Sequence, residues 1–114
     1  SFMDRAFFVA TVNGGMFRHK VGAAVAAVRR SGGIPTVDAI HKFISYSEMV
    51  MPTANYWTVA HGLTPGEMEQ DEEGKQIMEV LGRNMAWIMK TIEFGKDQYP
   101  APEPVNKTWT HFIR

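Results

Sequence analysis

The chain has 114 residues, which is enough for one domain and too few for two. Hydrophobic residues make up 45% and charged residues 21%, a globular composition that argues against disorder. Twelve Lys and Arg balance twelve Asp and Glu, so no basic surface points to nucleic acid, and no apolar run reaches the roughly 18 residues of a membrane span.

There is no Cys, which excludes disulfides and thiolate metal sites within these residues. That fits a reducing cytoplasm, the expected compartment. The opening residues Ser1-Phe2-Met3-Asp4-Arg5 lack a basic segment followed by a long apolar one, so no signal peptide is expected here. They read instead as the middle of an amphipathic helix without a cap, and the expectation is a segment of something longer.

Residues 1–10 are predicted helical, with Phe2, Ala6 and Val9 on one face. Asn13-Gly14-Gly15 stops that helix, because Asn and Gly tolerate a left-handed backbone. Val21 to Val28 is an unbroken apolar run, as in parallel strands whose two faces are both covered by helices. Ala and Gly are poor strand formers, so a short buried helix competes with that reading. Arg29-Arg30-Ser31-Gly32-Gly33 follows as a loop. Pro35-Thr36 then opens a second helix, with Thr36 as its cap and Val37, Ile40, Ile44 and Ser47 on one face.

Met49-Val50-Met51 begins a second strand that Pro52 interrupts and Tyr56 to Ala60 resumes. His61 to Gln70 is predicted to be a loop, on the turn signals His61-Gly62 and Pro65-Gly66. Asp71 caps a third helix, and Glu72 and Glu73 favour its positive end. Its stripe is Ile77, Leu81, Met85, Ile88 and Ile92, and it runs to about Phe94. Residues 96–114 hold three of the six prolines and form an extended tail, whose apolar end suits docking on the domain or a neighbouring subunit. Alternating helices and buried strands give an α/β parallel sheet, and two strands alone are too few, so the first strand needs a further partner.

The segment order and local motifs resemble the NADPH-dependent FMN reductase family, which has a flavodoxin-like fold. The matching stretches are Phe2-Met3-Asp4-Arg5, Lys20 to Val25, Arg29 to Gly33, Tyr56-Trp57, and Pro65-Gly66-Glu67 leading into Asp71-Glu72-Glu73-Gly74. The resemblance covers about residues 1–94 and implies the C-terminal half of such a domain, without the phosphate-binding loop. It implies FMN as cofactor, NADPH or NADH as electron donor, and a homodimer or higher oligomer.

On that resemblance Arg29, Arg30, Ser31, Gly32 and Gly33 form one wall of the flavin site. Glycines let backbone N–H groups approach a flat ring, and the helix start adds positive potential. A solvated turn is the plain alternative. Tyr56 and Trp57 are expected to border the flavin or nicotinamide ring, or else to serve as core or interface, and His61 to lie near the same edge or to be a loop residue without a role. The four His residues match no zinc spacing. No catalytic side chain is assigned, because hydride transfer is the chemistry of nicotinamide and flavin. The function expected is an FMN-binding NAD(P)H oxidoreductase of flavin or quinone reductase type. The alternatives are a non-catalytic assembly module and an iron–sulfur flavoprotein electron carrier whose cluster lies outside this chain.

Overall fold

The computed structural model describes residues 1–113. Its elements are α1 (Phe2–Val12), β1 (Ala26–Val28), α2 (Gly33–Tyr46), β2 (Val59–His61) and α3 (Glu72–Gly95), with a short 3-10 turn at Met68–Gln70 before α3. This is a mixed α/β arrangement of three helices and a two-stranded parallel sheet, compatible with part of a flavodoxin-like fold.

The strand pairing sets the rest. Ala26 pairs with Val59, Ala27 with Ala60 and Val28 with His61, all parallel. Five residues before Ala26, Val21 forms a separate parallel bridge to Val50. The apolar run Val21–Val28 is therefore extended, which settles the competition with a buried helix, but it is regular strand only at its end. The cause lies in the partner segment. It carries four more residues between the two pairing points than the first segment does, so residues 51–58 must leave the sheet and return. Pro52, which cannot donate to a ladder, stands at the departure. Thr58 marks the return, where its buried hydroxyl donates to the Ala24 carbonyl at 2.7 Å. Asn84 of α3 donates to the Thr53 carbonyl at 2.7 Å and holds the middle of the excursion.

Successive side chains on a strand point to opposite faces. A methyl group at Gly33 would meet Val59, so α2 covers the Val59 face. A methyl group at Gly74 would meet Ala60, so α3 covers the opposite one. The sheet thus lies between helices. Its core on the α2 side is Ala24, Ala26, Val37 and Ile44, with Val28, Ile40, Met49 and Val59 packed around them. The expectation that helices cover both faces of the first strand holds on that side alone. On the other side Ala27 is exposed and Val25 is 52% exposed, because α3 covers β2 and stops short of β1. The outer edge of β1 is also unpaired. Ala26 N–H donates to Thr58, and Gly62 N–H donates to the Val28 carbonyl. A parallel ladder alternates, so the backbone groups of Val25 and Ala27 turn to the open edge.

Several sequence expectations shift. The inward face of α1 is Met3, Ala6, Phe7 and Ala10, while Phe2 and Val9 are exposed. Phe7 decides this, since its ring lies 5.0 Å from Phe17 and 5.3 Å from Phe43 of α2. Thr36 does not cap α2. The helix begins at Gly33, the cap is Gly32, and the Thr36 hydroxyl donates back to the Gly32 carbonyl at 2.7 Å. Pro35 fits inside the first turn because that turn needs no N–H donor there. In α3 the expected stripe is real but sinks only at its start. Ile77 and Leu81 are buried, Met85 and Ile88 half-buried, and Ile92 exposed. After a turn at residues 96–99, residues 100–113 have no helix or strand and are exposed, with the Pro102 carbonyl accepting a 3.2 Å hydrogen bond from Arg18. The radius of gyration, 17.3 Å, exceeds the about 13 Å of a compact chain of this length.

Gly33 lies tightly against the sheet, with Val59 Cγ1 at 2.5 Å from an added Cβ. Val59 is β-branched and cannot swing aside cheaply. Gly33→Ala is expected to lower stability by about 1–3 kcal/mol through overpacking, measured by denaturant unfolding of the protein.

Candidate functional site

Both strands end on the same side of the sheet, at Val28 and at His61. Beyond them one loop turns into α2 and another into α3. The gap between the two loops is a cleft of about 420 Å³. This is where open α/β sheets place their ligands, at the carboxyl ends of the strands.

The α2 side is built from Arg30, Ser31, Gly32 and Gly33. Gly32 has φ +87°, a left-handed conformation that an L side chain adopts only with strain. No side chain caps this helix start. Its first N–H groups have no intrahelical acceptor and carry the positive end of the helix dipole toward the cleft. Tyr56 and Trp57, delivered by the 51–58 excursion, form the side wall. Their ring centroids are 5.8 Å apart and tilted by 50°, and both side chains are exposed.

The α3 side turns on Asp71. One carboxylate oxygen accepts from the Gly74 N–H at 2.9 Å and caps the helix, as the sequence leads one to expect. The other accepts from the backbone N–H of His61 at 2.7 Å. The His61 imidazole Nδ1 stands 3.7 Å from that same oxygen. Asp71 thus ties the end of β2 to the start of α3. The Gly74 N–H, then the His61 N–H, hold its carboxyl below the usual aspartate range, against partial desolvation. Glu67 acts similarly inside the loop. It accepts from the N–H groups of Leu63 and Thr64 at 2.6 and 2.9 Å, and those bonds, with Thr64 first, lower its pKa.

Of the residues singled out from sequence, Arg30, Ser31, Gly32, Gly33, Tyr56, Trp57 and His61 all line this one cleft. Arg29 is exposed and stands outside its lining. His61 is the last residue of β2 and not part of a loop. Sequence reasoning missed the link from Asp71 to His61. A contact across ten residues of loop leaves no periodic trace, and only the helix-cap role of Asp71 was legible.

Among the described residues, no helix is long and apolar enough to cross a membrane. No family model matches the chain, and no solved structure matches it. One curated protein does: an iron–sulfur flavoprotein of Methanocaldococcus jannaschii, 34% identical over 87 residues. The match takes in 70% of this chain and 45% of that protein, so the chain spans about half the length of the curated relative it matches.

Because the folded pKa of Asp71 is depressed, its contribution to stability is present above the ordinary aspartate pKa and is lost as pH falls through the folded value. The His61 and Gly74 amide resonances are expected to move together in an acid titration, with a midpoint below the usual aspartate range. Asp71→Asn should abolish that shared transition, and two separate midpoints in the unaltered protein would refute the shared-carboxylate geometry.

Proposed function

We propose that the protein carrying this chain is an FMN-binding NAD(P)H oxidoreductase, in which these residues supply one wall of the flavin site. The observation that carries the reading is the cleft at the carboxyl ends of two parallel strands, bordered by a glycine turn, an uncapped helix start and two aromatic rings. The similarity to a protein named an iron–sulfur flavoprotein supports it.

The residues fit a flat, partly anionic ring system. Gly32 and Gly33 present no side chain beyond hydrogen, so a ring can approach the backbone closely. The α2 start and Arg30 favour negative charge on the ring edge facing them. Tyr56 and Trp57 exclude water from the side and offer apolar faces. Asp71 and Glu73 on the opposite border disfavour a phosphate there, so the cleft suits the ring and not the phosphate of FMN. When bound, the flavin supplies hydride and electron transfer, and the chain's own task is to orient it and shield it. An iron–sulfur cluster, if the protein carries one as its relative's name says of that protein, takes its thiolates from outside these residues, which contain no Cys.

A second reading is an assembly role, favoured by the open edge of β1 and the bare Val25–Ala27 face. A homo-oligomer that covers this edge is compatible with the flavin reading.

The full protein is expected to be yellow, or to quench FMN fluorescence saturably when FMN is added. Gly32→Val should weaken FMN binding by about ten-fold or more through strain at the positive φ and obstruction of the ring. A colourless preparation that ignores added FMN would sink the proposal. For the assembly reading the decisive measurement is sedimentation: a stable monomer at micromolar concentration removes it.

A further inference from the structure

The 51–58 excursion borders a second cavity, which shares Ile34, Tyr56, Trp57 and Val59 with the strand-end cleft and differs from it in charge. It lies between α2 and the excursion, beside the stretch of the first segment that has no strand partner, and measures about 320 Å³. That volume is within the range of small-molecule sites. Its apolar lining includes the small residues Ala23, Ala24 and Ala54 beside Val37, Val59 and Leu81. The cavity is open to solvent on the side of Tyr56 and Trp57, so a ligand has a path into it.

Tyr56 and Trp57 close one side, so the mouth of the cavity is aromatic. The polar groups at the rim include Asp38 and His41 of α2. Among the described residues the lining holds a carboxylate and no Lys or Arg. The electrostatics therefore oppose an anion and favour a cation. This is the reverse of the α2 end of the cleft, where Arg30 and the helix start favour negative charge. An apolar interior, two ring faces and one carboxylate suit a molecule with a flat ring and an ammonium group. The ring enters the alanine-lined space, the ammonium meets Asp38, and the aromatic faces add cation–π attraction.

We propose that this cavity is a binding site for a one- or two-ring aromatic amine, held by Tyr56 and Trp57 around its ring and by Asp38 at its charge. The proposal does not depend on flavin binding in the neighbouring cleft. The experiment is a titration of the ¹⁵N-labelled full protein with tryptamine and, separately, with indole-3-acetate, which has a similar ring system and the opposite charge. Tryptamine is expected to shift the amides of Val37, His41 and Ala54 saturably, and to bind at least about ten-fold tighter than indole-3-acetate. Asp38→Asn, a surface change on α2, should weaken tryptamine about five-fold, the scale of one partly exposed charge pair. Ala54→Phe, which projects a ring into the cavity, should block it. Equal or tighter binding of indole-3-acetate overturns the proposal. So do shifts confined to residues 29–33 and His61, no saturation by millimolar tryptamine, or full binding to a folded Ala54→Phe protein. A parallel FMN titration is read at Arg30, Gly33 and His61, which line the strand-end cleft and not this cavity, so failure of either reading is seen separately.

Discussion

Between the Val21–Val50 bridge and the Ala26–Val59 pair, the second segment has eight residues to place where the first has four. Two parallel strands cannot absorb that difference within the ladder, since each pairing step advances both chains equally. The surplus must leave the sheet. Pro52 makes the departure inexpensive, and the Thr58 hydroxyl and the Asn84 amide fix where the segment travels and returns. Three features follow from that path. It carries Tyr56 and Trp57 to the start of α2, it gives the cleft a side wall, and it leaves the alanine-lined space behind it.

The placement of α2 and α3 on opposite faces explains both what is buried and what is bare. Gly33 and Gly74 let each helix start lie directly on a strand, against Val59 and Ala60. With only two strands, each helix also overhangs. The far half of α3 shows Trp87, Met89 and Phe94 to solvent, Val25 just before β1 is exposed, and the outer edge of β1 is unpaired. These surfaces form one consistent set.

Much of this was legible in the residues. The unbroken apolar run at Val21–Val28, the glycine loop after it and the stripe from Ile77 place the alternation of elements and the side of the sheet where the cleft opens. The aromatic pair lines the same cleft as the glycine loop, although nothing in its spacing says how it gets there. That depends on a register difference between segments some thirty residues apart, which local patterns do not encode. The inward face of α1 was misread for a similar reason. Two stripes compete on that helix, and the choice is made by distant Phe17 and Phe43, which receive Phe7. The start of α2 was placed at Thr36 because a hydroxyl is the usual cap, whereas a left-handed glycine does the work here.

The two helix starts that face the cleft are finished differently. Asp71 neutralises the positive end of α3 internally, from its own chain, and spends its second oxygen on the β2 terminus. The start of α2 has only glycine and so keeps its field. The cleft is therefore polar along one axis, electropositive beside Arg30 and screened beside Asp71. A ligand whose two edges differ in electron density would meet only one low-energy orientation there, so the asymmetry of helix capping acts as a compass for whatever enters.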